Sequence, residues 1–223
     1  MKTSDSEYYA NQPNPGNFVS KLALHVRVKM FATLMEITQA DKNTQVLDVG
    51  VTNDRRTESN FLEKLYPYPE NITAVGLEEA SFIETEFPGV KYIKADGKAL
   101  PFADDSFDLV TSFAVIEHVG SRNHQNNFIN ELCRVGKSCL ITTPNRWYPV
   151  EVHTMTPFLH WLPARQFRTI LRLMGKHFYA DEANLNLLDA KTLQRMFPGQ
   201  MQVEAHHYRL IGMVSNLFYY AKW

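Results

Sequence analysis

Five apolar runs of strand length, at 45–49, 73–77, 91–95, 108–113 and 138–142, are separated by stretches with helical periodicity. Runs this short and this continuously apolar are buried on both faces. Alternating with helices, they imply an open parallel sheet joined by right-handed crossovers. The expected fold class is α/β, with helices on both faces of the sheet. A chain of 223 residues with 44% hydrophobic content has enough core for one such domain and is short for two.

The rest of the chain fits around that unit. Residues 1–16 are polar and Pro-rich and read as a flexible leader without the features of a secretory signal. Residues 17–40 contain apolar positions that suit a helix covering one side of the sheet. Between 147 and 188 the strand and helix rhythm stops, and aromatics, His and Arg accumulate. This stretch reads as an insertion, or lid, over the site, because insertions after a strand's carboxyl end lie above the ligand crevice. A short helix at 190–197 and two late strands near 201–208 and 211–221, paired antiparallel, close the chain.

Composition narrows the partners. With 23 basic against 24 acidic residues the formal net charge is -1, and no basic stripe interleaved with aromatics is present, so nucleic acid is not an expected partner. Cys133 and Cys139 lack metal-ligand spacing and read as buried thiols of a reducing, cytoplasmic compartment. No metal is expected. No stretch approaches the ~20 apolar residues of a membrane span.

In an open parallel sheet the ligand lies beyond the strand carboxyl ends, so the residues just after each strand carry the chemistry. Gly50 ends the first strand and admits close backbone approach, and Asp48 precedes it by two residues. Glu78, after the second strand, suits the two hydroxyls of a ribose, a bidentate task for a carboxylate. Asp96 and Gly97, after the third, suit an adenine ring, with Leu100, Pro101 and Phe102 packing its approach. The target is a nucleotide-like cofactor.

These segments, Val46-Leu47-Asp48-Val49-Gly50, Ala74-Val75-Gly76-Leu77-Glu78, Asp96-Gly97 and Leu100-Pro101-Phe102 through Ser106-Phe107-Asp108-Leu109-Val110 to Ile116-Glu117-His118-Val119, resemble the motifs of class I S-adenosylmethionine (SAM) dependent methyltransferases. The resemblance covers residues 45–145 and is similar to the branch that includes quinone-biosynthesis methyltransferases. It implies a Rossmann-like seven-strand, mostly parallel sheet with an antiparallel last strand. It also implies SAM as methyl donor, with Phe113 and Ala114 lining its methionine portion. The family's Gly-x-Gly-x-Gly loop is replaced by Gly50-Val51-Thr52-Asn53-Asp54, where Thr52 and Asn53 offer side-chain hydrogen bonds instead and Arg55 or Arg56 offers charge.

SAM brings its own leaving group, so the protein must exclude water, orient the acceptor and, for a hydroxyl, remove a proton. His118, after the fourth strand, is one candidate base. Its alternative is a turn-capping role shared with Glu117 and Arg122. The segment Thr142 to Thr154 resembles a bacterial subset of the family. That likeness implies Asn145, Tyr148, Glu151 and His153 on the acceptor side, with His153 as a second candidate base. The expected activity is methyl transfer to a small-molecule, glycan or lipid-intermediate acceptor, with oxygen favoured. A SAM-binding module without turnover and a nucleotide-dependent oxidoreductase are the competing readings. A basic amphipathic stretch within 158–176 fits a packed helix, a lid, or peripheral contact with a membrane or lipid-linked substrate.

Overall fold

A computed structural model describes residues 17–54 and 59–223. The leader at 1–16 and the two arginines Arg55 and Arg56 lie outside the described residues. Helix α1 (Asn17–Thr38) is followed by β1 (Val46–Val49), α2 (Phe61–Leu65), β2 (Ile72–Gly76), α3 (Phe82–Glu86), β3 (Lys91–Lys94) and β4 (Leu109–Phe113). A 3-10 turn at Ile116–His118 leads into α4 (Arg122–Val135) and β5 (Ser138–Pro144). The sheet order is β3-β2-β1-β4-β5, all parallel, and continues through β10 (Met213–Lys222), antiparallel to β5, to β8 (Gln202–Ala205), antiparallel to β10. This is the expected Rossmann-like architecture. An additional short strand, β9 (Tyr208–Leu210), pairs with the start of β10 and makes eight strands in the sheet. It was not expected because its three residues carry no buried apolar alternation.

Burial explains the apolar runs. All four residues of β1 are buried, and β5 is buried through Thr143. One face of the sheet packs Leu47, Val49, Val110 and Ile141 against Phe128, Ile129 and Leu132 of α4. The other packs Val46, Ile72, Leu109 and Leu140 against Met30 and Leu34 of α1 and Leu62 of α2. Each fully buried Leu, Ile or Phe contributes about 1.5–3 kcal/mol relative to exposure. The edge strand β3 exposes charge through Lys91 and Lys94, which blunts the edge against further pairing.

The strand order reverses between β1 and β4, so the crevice opens at the carboxyl ends of these two strands. After β5 the chain forms a small hairpin, β6 (Val150–Glu151) with β7 (Thr156–Pro157), then helix α5 (Ala164–Leu173), and returns through a bridge from Leu188 to Asn145. Helix α5 buries Phe167 and Leu171 against Tyr179, Leu185 and Leu187, so this stretch has a small apolar core of its own. Helix α6 (Ala190–Gln194) then leads to the final strands. Among the described residues, no helix is long and apolar enough to cross a membrane.

Candidate active site

The first strand ends in a sharp turn at Gly50, whose φ is +112° and whose amide donates to the Val75 carbonyl at 2.8 Å. Glycine is required there twice over. An L side chain rarely adopts that conformation, and a Cβ would lie 2.1 Å from Cγ2 of Val115. The loop that follows lacks further glycines and is held by Asn60, whose side chain accepts from the Thr52 amide at 3.1 Å and donates to the Thr52 carbonyl at 3.0 Å. Thr52 thus supports the loop through its backbone, and its hydroxyl accepts from the Asp54 amide. Exposed Asn53 donates through Nδ2 to Oε2 of Glu78 at 3.2 Å. The loop after β1 and the acid after β2 are therefore brought together.

Glu78 is half-buried, and its carbonyl accepts from the Tyr92 hydroxyl. Asp96 follows β3 and pairs with Lys98 at 2.9 Å. Gly97 has a packing role: a Cβ would come within 2.5 Å of the Phe128 ring. The Leu100 to Phe102 segment is clamped from α4, because Glu131 accepts from the Leu100 amide and Arg134 donates to the carbonyls of Leu100 and Phe102. At the end of β4, Phe113 stacks edge-on against Phe61 at 4.5 Å, and Ala114 turns the chain with φ +57°.

Asp48 is buried and accepts from the Thr111 hydroxyl at 2.5 Å. Burial raises its carboxyl to about 6, against the pull of Thr111 and Glu63. Glu63 was not expected in the site. It is buried at 3% exposure, beside Asp48. Burial and the charge of Asp48 push it well above the ordinary carboxylate range. A charged residue inside the apolar run Phe61-Leu62-Glu63 was the only signal of it in the sequence.

A pH dependence follows. Both carboxyls are raised in the folded state, so their contribution to stability is full below the unfolded values near 4 and is lost as pH rises, for Asp48 through about 6 and for Glu63 through its own raised value. A carboxyl moved from 3.8 to about 6 costs roughly 3 kcal/mol once ionised. Glu63→Gln should therefore melt close to the parent at pH 5 and progressively above it toward pH 9. A difference in melting temperature that stays flat across this range would rule out the pair as its source.

The third group lies past β4 and β5. Glu117 is wholly buried, and its Oε2 accepts from the Thr143 hydroxyl at 2.8 Å. Burial raises its carboxyl, opposed by the charge of His153. His118 donates through Nδ1 to the Asn184 carbonyl at 2.7 Å, which turns Nε2 toward Glu117 at 3.9 Å. Burial, reinforced by the His153 charge, pushes this imidazole down to about 3, so His118 is neutral at physiological pH. The ring of His153 meets that of His118 edge-on at 4.8 Å. The expected alternative for Arg122 is not realised among these contacts, since its guanidinium donates to Gln125 at 2.7 Å.

Glu151 organises the hairpin. One oxygen accepts from the amide and Nδ1 of His153 at 3.0 and 2.7 Å, the other from the amide and hydroxyl of Thr154, both at 2.6 Å. Burial alone would raise this carboxyl, but the His153 charge and four donors hold it at about 2. For His153 the balance is reversed: burial would lower the imidazole, and the Glu151 charge raises it. The returning segment completes the group, with the Asn186 amide on the Glu117 carbonyl and Gln125 bridging Ile116 and Asn186. Asn145 is engaged structurally, its amide donating to Val214 and accepting from the Trp147 backbone. Tyr148 is half-exposed, and its carbonyl accepts from His160.

A separate hollow lined by Asp104, Arg134, Lys137 and Trp223 lies beside the amino ends of β4 and β5. No comparable chemistry converges there, because Arg134 is spent on Glu131 and Asp104, and Lys137 on Asp108.

Residues 47–139 match a family described as a methyltransferase domain. No curated protein matches the chain. Among solved structures, the PH0226 protein from Pyrococcus horikoshii OT3 is similar with a TM-score of 0.59 and 14% identity, over 94% of this chain and 92% of that one. The methyltransferase domain of the bacterial protein CtHen1-CN gives 0.56 at 14% identity, over 90% and 100%. A SAM-dependent methyltransferase from Aquifex aeolicus gives 0.52 at 14% identity, over 99% and 98%. At these identities the likeness concerns the fold. The matched segment spans less than half of the chain, and over that segment and in its fold the chain is similar to methyltransferase domains.

Proposed function

We propose that the chain transfers a methyl group from SAM to a hydroxyl of a small molecule, glycan or lipid intermediate. The observation that carries the oxygen preference is the convergence of Glu117, His118, Glu151 and His153 past the ends of β4 and β5. A nitrogen acceptor needs little beyond desolvation, whereas a hydroxyl must lose a proton, and this group is built to handle one. Glu151 fixes the tautomer of His153 by taking Nδ1, which leaves Nε2 for the acceptor side, and its charge stabilises the ring once a proton arrives. His118, neutral and oriented by Asn184, is the second imidazole of the group, and its lowered affinity for a proton leaves His153 the better proton acceptor.

The donor set suits SAM, with a carboxylate after β2, a second after β3 and the turn at Gly50. In this reading Glu78 holds the ribose, Asp96 and Gly97 the adenine, and Asp48, Thr52, Asn53, Phe113 and Ala114 surround the remainder. When bound, SAM supplies an activated methyl group on a sulfonium. Exposed Phe158, Trp161, Leu173 and Met174 beside exposed Arg165 and Arg172 favour a lipid-linked acceptor over a freely diffusing one. The stretch 147–188, over the acceptor side, acts as the lid.

Calorimetric titration with SAM, S-adenosylhomocysteine and NAD tests the cofactor. Micromolar binding of the first two is expected, and Glu78→Ala should weaken SAM by about 2 kcal/mol, more than tenfold, through loss of charged hydrogen bonds. Unchanged affinity would remove Glu78 from the site. Binding without transfer would support the non-catalytic module, and preference for NAD the oxidoreductase. Labelled methyl from SAM should appear as an O-methyl product, and an N- or C-methyl product would overturn the acceptor assignment.

A further inference from the structure

Glu117 Oε1 is buried and has no hydrogen-bond partner. An anionic oxygen in that position is costly unless a cation compensates it. The nearest basic nitrogen, Nε2 of His118, stands 3.9 Å away, beyond hydrogen-bond reach. One ligand-capable atom from each of Glu117, His118 and His153 lies within 4.8 Å of the other two. Cation bonds of about 2.0–2.2 Å set ligand atoms roughly 3.0–3.5 Å apart, so a contraction of an ångström or so closes the three around one ion.

The surroundings point the same way. Metal-ligating histidines characteristically give their other ring nitrogen to a carbonyl or carboxylate, which fixes tautomer and direction. Here the Nδ1 of His118 is on the Asn184 carbonyl and the Nδ1 of His153 on Glu151, both at 2.7 Å. The second oxygen of Glu117 is fixed by Thr143. All three ligands are thus oriented by groups that would lie outside the coordination sphere. Exposure falls from 18% at the His118 side chain to 9% at His153 and 0% at Glu117, so solvent reaches the cluster from the His118 side.

We propose that Glu117, His118 and His153 bind one divalent transition-metal cation on the acceptor side of the methyl-transfer site. The inference rests on the reading that this cluster faces the acceptor, and it deepens that reading. Two imidazoles and one carboxylate suit zinc, cobalt, manganese or iron better than calcium or magnesium, and three protein ligands leave positions open. An acceptor hydroxyl there is acidified by the cation. Its proton leaves to water on the His118 side, its oxygen bonds to the methyl carbon, and the sulfur–methyl bond breaks to give the neutral thioether. The two histidines then act as ligands, and the cation takes over the work of a base.

The test uses the full chain, stripped with chelator and titrated separately with Zn2+, Co2+ and Mn2+, with SAM titrated in parallel. One saturating ion per chain is expected, with visible absorption from the Co2+ form. Glu117→Gln and His118→Ala should each weaken metal binding at least tenfold with SAM affinity retained. The parent titration does not depend on either variant folding. No saturable binding of any of the three ions, or binding that both variants leave unchanged, would overturn the site. SAM binding without metal binding would sink the metal inference alone. Metal binding without SAM binding would support the cation site while the cofactor assignment failed.

Discussion

His153→Ala should lower turnover by about a hundredfold or more while leaving SAM affinity essentially unchanged. The ring is buried, set edge-on to His118 and held by Glu151, and it touches none of the residues assigned to the cofactor. Its loss removes the proton acceptor or a cation ligand, so the activity falls in either case. The fold should survive, because Glu151 keeps both donors from Thr154 and remains partly compensated. Single-turnover kinetics with a saturating acceptor, beside a SAM titration, separate the two effects. Parallel losses in SAM binding and turnover would show that His153 supports the structure instead of the reaction.

Gly50→Ala should destabilise the protein by about 2–5 kcal/mol, the sum of a strained left-handed backbone and an overpacked contact. The new methyl would sit 2.1 Å from Val115 Cγ2, and a β-branched side chain in the turn between β4 and Glu117 has little freedom to retreat. In a chain of this size each kcal/mol lowers the melting temperature by roughly 2–4 °C, so a drop of about 5–15 °C is expected, with weakened SAM binding. Adding Val115→Ala should recover the steric part and leave the backbone strain, which a double-mutant cycle isolates. A melting temperature within a degree of the parent would show that the turn relaxes freely.

The strands were legible because parallel-sheet interiors exclude water from both faces, which forces continuous apolar runs such as Val46–Val49 and Leu109–Phe113. The acids at their ends stand out for the converse reason, since Glu78 and Asp96 follow β2 and β3, where such a sheet is expected to meet a ligand. Boundaries were less exact: α5 ends at Leu173 where 176 was expected, ahead of a left-handed Gly175, and α6 ends at Gln194 where 197 was expected. Met174, just past the end of α5, is 51% exposed.

The sequence by itself determined the sheet and its crossovers, because these depend on burial and strand order, which leave a local pattern. Only the tertiary structure decided the partnerships: Glu63 beside Asp48, Asn60 in place of the missing loop glycines, Asn145 committed to backbone, and Glu117 left with an uncompensated oxygen between two histidines. Some of these partners are far apart in the chain, as Asn145 and Val214 are, and even Asn60 and Thr52, eight residues apart, meet with no regular spacing to announce them. A carboxylate's partner and its pKa are fixed by what folding brings within a few ångströms, and that information exists only once the chain has closed on itself.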